Sequence, residues 1–137
     1  MSVMNIYRST YILIFFFIAV TFANAQQSNI GISVIRDGHA SILDEDIVSG
    51  REEALNSALR GAIEYIMESM VDAEYLCEYT QLVERYILSD ATAYILKYEV
   101  LKEGDVDAKS YALSVKADVD FLKLEQDIDM LGVLQHR

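Results

Sequence analysis

The 137-residue chain contains no proline, no tryptophan, one cysteine and two histidines. With Cys77 as its only cysteine, the chain cannot form an intramolecular disulfide, so a folded domain must depend on its hydrophobic core. The apolar context Tyr75-Leu76-Cys77 predicts a buried, inert thiol, because a free cysteine usually packs as a small hydrophobic residue. Pairing of Cys77 between two chains is the alternative. There is also no low-complexity run and no internal repeat, and nothing in the sequence indicates a second domain.

Cations are scarce, which argues against two classes of partner. The chain has 11 basic and 22 acidic residues and a formal charge of −11. Binding of nucleic acid requires a basic face that neutralises phosphates and releases counterions, and no such face is indicated. A membrane surface rich in anionic lipid is disfavoured for the same reason. We therefore expect no nucleic acid partner.

The residue patterns that carry catalysis or bind metals are also missing. Neither His39 nor His136 lies at a ligand spacing from Cys77 or a carboxylate, whereas a zinc site needs three or four converging ligands. There is no Gly-x-Ser-x-Gly motif and no glycine-rich phosphate loop. The paired carboxylates at 52–53 and 44–46 are explained by a solvated helix face and a helix start. The sequence thus predicts no enzyme activity, no metal and no cofactor.

The N-terminus has the three parts of a secretory signal peptide. Arg8 precedes an apolar run over 11–20, and small residues follow at Ala23 and Ala25. The run is shorter than the roughly 20 residues that a transmembrane helix needs, so cleavage after Ala25 is favoured over a retained anchor. No cysteine near this position offers a site for lipid attachment. We predict a periplasmic protein with a single domain over 26–137 and no membrane span after cleavage.

Hydrophobic periodicity predicts an antiparallel sheet packed against one long helix, with shorter second and C-terminal helices, which is the α+β class. Apolar residues spaced by three and four between Ile47 and Val71 make the long helix the clearest element. Asp37-Gly38 is a turn signal within the first extended segment. The predicted order is a bent strand or strand pair over 30–43, helices over 47–71 and 78–88, strands over 93–103 and 111–119 with a turn over 104–107, and a helix over 120–131.

Tyrosine is enriched, with nine residues in the chain. Its ring buries a large area and keeps a polar tip, which suits protein interfaces. Candidate interface residues are Tyr75, Tyr79 and Tyr94. Tyr94 also has a core alternative, together with Tyr86 and Tyr98, since all three fall on predicted apolar faces. A core position is equally an alternative for Tyr75 and Tyr79, which lie in the connector between the predicted helices.

Four segments resemble the N-terminal domain of flagellar assembly protein T. They are Gly38-His39-Ala40-Ser41-Ile42, residues 51–60 (REEALNSALR), residues 81–89 (QLVERYILS) and residues 94–104 (YILKYEVLKEG). The resemblance spans nearly the whole of 26–137. Ala93 departs from it, because the family often has glycine before the tyrosine. The chain also stops at Arg137, where the flagellar protein continues into further domains.

The resemblance implies a periplasmic, non-enzymatic domain that takes part in building a ring around the flagellar basal body near the outer membrane. We therefore expect an assembly or scaffold protein whose partners are envelope or flagellar proteins, or further copies of itself. The alternative is a module that binds a peptide or small ligand between helix and sheet beside Tyr75 and Tyr79.

Overall fold

The computed structural model of the chain describes residues 31–42, 46–107 and 109–132. The predicted signal peptide and His136 lie outside these ranges. Within them, three strands and four α-helices give the α+β class that the sequence predicts. In chain order the elements are β1 Gly31–Ser41, α1 Ile47–Met70, α2 Ala73–Glu78, α3 Thr80–Tyr86, a 3₁₀ helix Leu88–Tyr94, β2 Ile95–Asp107, β3 Ser110–Asp120 and α4 Phe121–Met130.

The three described strands form an antiparallel sheet in the order β1-β3-β2. β1 pairs with β3 without interruption, from Gly31 opposite Asp120 to Ser41 opposite Ser110. The pairing of β2 with β3 shifts register at three places. Directly paired residues point to the same side of a sheet, so the register defines an inner face under α1 and an outer face opposite it.

Helix α1 is the 24-residue element that packs on the inner face, mainly against β1 and β3. It begins after Asp46, whose side chain accepts a hydrogen bond from the Ser49 amide at 3.1 Å and so satisfies an unpaired N–H of the first turn. Its apolar stripe is buried against the sheet, as the spacing predicts. The buried members are Gly50, Ala54, Ala58, Leu59, Ala62, Ile63, Ile66, Met67 and Met70.

Strand β3 supplies the other half of the core. Every second residue from Tyr111 to Val119 is buried, which is the alternation expected of a central strand with one covered face. Val115 and Val119 are among the largest fully buried side chains, together with Ile63 and Ile66 of α1. Burial of each such side chain contributes roughly 1.5–3 kcal/mol.

Gly38 lies within β1 and does not form the predicted turn. It faces α1, and a Cβ built on it would lie 1.9 Å from the backbone oxygen of Ala54 and 2.7 Å from the nitrogen of Ala58. Glycine is therefore required here because helix and strand approach closely, a role that glycine often has inside strands. Residues 31–41 are accordingly one strand, so of the two predicted alternatives the single strand is right and the strand pair is wrong.

The hairpin turn was also misplaced. Strand β2 continues through the predicted turn over 104–107, since Gly104 pairs with Ala112 and Asp107 with Ser110. Only residues 108 and 109 remain between the two strands. The final helix, α4, begins after Asp120, which accepts from the Lys123 amide at 3.1 Å, and buries Leu124 and Ile128 as predicted.

Candidate functional site

The three candidate interface tyrosines do not share one surface. Tyr75 lies in α2 and Tyr79 at its C-terminal end, and both are half-buried against the core. Tyr94 ends the 3₁₀ helix and is only 4% exposed. Tyr75 and Tyr79 thus keep part of their rings at the surface, whereas Tyr94 has almost none.

Tyr94 is held by residues of α4. Its hydroxyl donates to Asp127 Oδ2 at 2.8 Å, and the Lys123 ammonium lies 4.6 Å from the ring centroid. Burial, reinforced by the nearby Asp127 carboxylate, strongly raises the pKa of Tyr94, so the phenol keeps its proton. These contacts assign Tyr94 to the core, and it is not available as an interface residue.

The core alternative is wrong for the other two tyrosines. Tyr86 is 58% exposed and Tyr98 is 49% exposed. Tyr86 lies at the end of α3, a helix that buries only Val83. Tyr98 is on the inner face of the sheet, because it pairs with Ala117, but β2 is an edge strand and α1 packs mainly on β1 and β3. Alternation therefore predicted the face of Tyr98 correctly and its burial wrongly.

Cys77 is exposed, so the prediction of a buried thiol was also wrong. The six-residue helix α2 has no buried residue and leans on the core through Tyr75 and Leu76. A helix turns by about 100° per residue, so the position after Leu76 points away from that contact. An apolar neighbourhood in the sequence did not indicate which side of a short helix is covered.

An apolar groove separates α1 from α2 and α3. It has a volume of about 200 Å³. Buried side chains of Met67, Val83 and Leu88 form its floor, together with the half-buried Leu76, and three glutamates lie at its rim: Glu64, Glu68 and Glu84. This volume corresponds to about six water molecules or one to two aliphatic side chains. The groove can therefore accept an apolar side chain of a partner with carboxylates around it.

Arg60 connects the two walls of the groove. Its guanidinium donates to Glu64 on the next turn of α1, with an Nε to Oε1 distance of 2.9 Å, and also to Glu84 of α3. The hydrogen bond to Glu84 is the largest cause of the raised pKa of Arg60. Because both carboxylates are exposed to solvent, the pairs stabilise the fold by no more than ~1 kcal/mol each. Their clearer effect is to place Glu64 and Glu84 on opposite sides of one groove.

Glu68 forms no ion pair with any described residue. It lies one turn beyond Glu64 on α1, away from Arg60, and is exposed. Between Gly61 and Glu84 the sequence has six carboxylates, which are Glu64, Glu68, Asp72, Glu74, Glu78 and Glu84, and no lysine or arginine. That one-sided stretch was the available sequence signal for this site. The groove itself was missed, since it arises only when α3 folds back against α1.

A second depression lies on the sheet, with a volume of about 570 Å³. His39 and Asp37 of β1 border one side of it and Lys102 of β2 the other. Small residues at its centre, Gly104, Ala112 and Ser114, leave the space open. Its polar rim can hydrogen-bond a ligand. His39 lies here on a strand, and not in the turn that the sequence predicted.

In the part of the chain that the structure describes, no three histidine, cysteine or acidic side chains converge to hold a metal ion. No helix there combines the length and the apolar character needed to cross a bilayer. Comparisons of the chain with protein-family models, with curated proteins and with solved structures gave no match.

Proposed function

We propose that the protein is an exported, non-enzymatic assembly or scaffold domain of the cell envelope that works by binding another protein. The groove between α1, α2 and α3 is the observation that carries this proposal. Its apolar floor is continuous with the core, and its carboxylate rim is exposed. Interfaces commonly combine an apolar centre with a polar rim in this way.

The placement in the envelope, at the flagellar basal body or the outer membrane, is supported by sequence. Residues 1–25 have the composition of an export signal, and four segments resemble the N-terminal domain of flagellar assembly protein T. In this proposal the mature protein begins at Gln26 and acts in the periplasm.

The export part is tested by fractionating cells that produce the full chain. We expect a periplasmic protein whose N-terminal residue, read by mass spectrometry, is Gln26. A variant in which Phe15 and Phe16 are both replaced by Asp should stay uncleaved in the cytoplasm, because the apolar run is interrupted. Full-length, uncleaved wild-type protein in the cytoplasm would contradict the placement.

The binding part is tested with Cys77, the only cysteine of the chain, which is exposed and follows the groove residue Leu76 in α2. A photocrosslinker attached there in the otherwise native protein should yield a product of defined mass with an envelope or flagellar protein. Glu68→Lys at the rim should reduce that product. Glu53→Lys, on an exposed position of α1 outside the groove, makes the same charge change and should preserve it. Equal yields from all three proteins would remove the groove from the proposal.

A second candidate function is the binding of a small polar ligand or peptide in the depression on the sheet. The space between α1 and β1 is closed at Gly38, and the site beside Tyr75 and Tyr79 that the sequence suggested stays a prediction. The depression bordered by Asp37, His39 and Lys102 is favoured instead, on its volume and its polar rim. Replacing Ala112 by tryptophan would fill it. Ligands that raise the melting temperature of the wild type should then fail to stabilise Ala112→Trp.

A further inference from the structure

We propose that the groove between α1, α2 and α3 binds a peptide segment in which one or two apolar side chains are flanked by lysine or arginine. This inference rests on the proposed function, since it specifies the chemistry of the partner in the same groove. The occupant is a segment of another protein.

The apolar part of the recognition follows from the groove floor. Met67 and Val83 are 2% and 5% exposed, and Leu76 is half-buried between them and solvent. An aliphatic side chain placed on this floor would itself leave water and would cover the exposed part of Leu76, because Met67 and Val83 are already buried. The volume of about 200 Å³ gives room for one or two such side chains on the floor.

The basic part follows from the charges around that floor. Glu64, Glu68 and Glu84 line the groove, and Arg60 is the one cation that pairs with any of them among the described residues. Arg60 lies at the end of the groove near Glu64, which leaves the Glu68 end without a counterion from the described chain. A lysine or arginine of the partner beside Glu68 would complete the pattern.

Charge also argues against the other occupants. A second copy of this chain carries a formal charge of −11, and an acidic partner would be repelled from the rim. Anionic lipid and nucleic acid are disfavoured on the same ground. The groove therefore fits a cationic peptide better than it fits another copy of the protein.

The test uses the full mature chain and a fluorescein-labelled 12-residue peptide with four lysines and arginines around a central Leu-Leu pair. Two control peptides replace either Leu-Leu by Ser-Ser or the cations by glutamate. Fluorescence anisotropy at 50 mM salt should show saturable binding of the first peptide and at least tenfold weaker binding of both controls. Binding should weaken as salt is raised, because charges at the surface are screened within about 10 Å at 0.1 M.

Variants locate the binding. Glu68→Lys should weaken the affinity about fivefold or more, since it reverses a charge within reach of the peptide, and Glu53→Lys should change it less than twofold. Arg60→Gln should strengthen binding about twofold, because it releases Glu64 and Glu84 from their counterion. All three positions are at least partly exposed, and circular dichroism checks that each variant is folded.

Equal weakening by Glu68→Lys and Glu53→Lys would mean that the peptide responds to the overall negative charge of the protein and not to the groove. That result would contradict the inference. The inference would also fall if binding required only cations, or if sedimentation showed that the groove residues join two copies of the chain. A variant that ends at Gly132 tests whether the chain's own C-terminal residues occupy the groove. A large gain in its affinity for the peptide would show that they do, and this would contradict the inference. Absence of peptide binding with an intact Cys77 crosslink would reject this partner chemistry and leave the proposed function standing.

Discussion

At the residue scale, two glycines inside regular elements have opposite effects on stability. Gly38 lies where β1 touches α1, and a Cβ there would overlap the Ala54 backbone oxygen. Gly61 lies within α1, and a Cβ there would meet nothing within 4 Å. The same substitution to alanine therefore separates close packing from helix propensity.

We expect Gly38→Ala to lower the free energy of unfolding by about 3 kcal/mol, because α1 must move away from the sheet. Gly61→Ala should raise it by about 0.5–1 kcal/mol, since glycine is a poor helix former. Urea denaturation of both variants measures the difference. A Gly38→Ala protein as stable as the wild type would show that the helix does not approach β1 as closely as described.

At the element scale, Tyr94 joins the 3₁₀ helix to α4. The hydroxyl donates to the Asp127 carboxylate, and the Lys123 ammonium both faces the ring and donates to the Ala93 carbonyl at 2.8 Å. These contacts keep α4 on the core, where it buries Leu124 and Ile128.

Tyr94→Phe keeps the ring and removes the hydroxyl, so it should cost about 1.5–3 kcal/mol, the range of a hydrogen bond to a charged group. Tyr86→Phe is the matched control, because Tyr86 is exposed, and its cost should be under 0.5 kcal/mol. Thermal or chemical denaturation compares the two. If both variants lose the same stability, the bond to Asp127 does not hold α4 in place.

Among the helices and strands, the long helix was predicted correctly, whereas two features of the strands were not. Helix α1 was predicted over 47–71 and spans Ile47–Met70. The prediction is accurate because apolar residues recur at helical spacing over the whole length of the helix. The solvent exposure of Tyr98 on the inner face could not be predicted, since it depends on β2 being an edge strand in the order β1-β3-β2. The turn signal at Gly38 failed for a related reason. Its cause is a contact with α1, which lies 16 residues further along the chain at Ala54.

The candidate groove could not be predicted from the sequence for the same physical reason, which is that it depends on contacts between distant parts of the chain. Its walls come from positions 64–68, 76–80 and 83–88, and only the tertiary fold, which packs the 3₁₀ helix on α1 and places α3 beside it, brings them together. The charge asymmetry between Gly61 and Glu84 was readable, but an acidic stretch alone indicates a solvated surface as readily as a site. Tyr75 and Tyr79 precede the groove residues Leu76 and Thr80 in the sequence, although neither lines the groove.

At the scale of the whole molecule, three carboxylates link the fold to pH. Hydrogen bonds lower the pKa of each: Arg51 is the main cause for Glu103, Ser49 for Asp46, and Ser33 with Lys97 for Asp118. Each bond connects separate parts of the domain or caps α1. The Arg51 Nε to Glu103 Oε2 distance is 2.6 Å, and it ties α1 to β2, an edge strand that α1 otherwise hardly covers.

A carboxylate whose pKa is lower in the folded state binds protons more readily when unfolded, so it stabilises the fold at neutral pH. That contribution is complete above the ordinary pKa values of 4.5 for Glu103 and 3.8 for Asp46 and Asp118, and it is lost as the pH falls through the lowered folded values. The free energy of unfolding should therefore decline as the pH is lowered below about 4.5.

Glu103→Gln should be less stable than the wild type at pH 7 and should show a shallower decline. Glu53→Gln, which removes an exposed carboxylate with no ion pair among the described residues, should run parallel to the wild type. Urea midpoints measured from pH 7 to pH 3 decide this, and a Glu103→Gln curve parallel to the wild type would mean that the link from α1 to β2 does not contribute to acid stability.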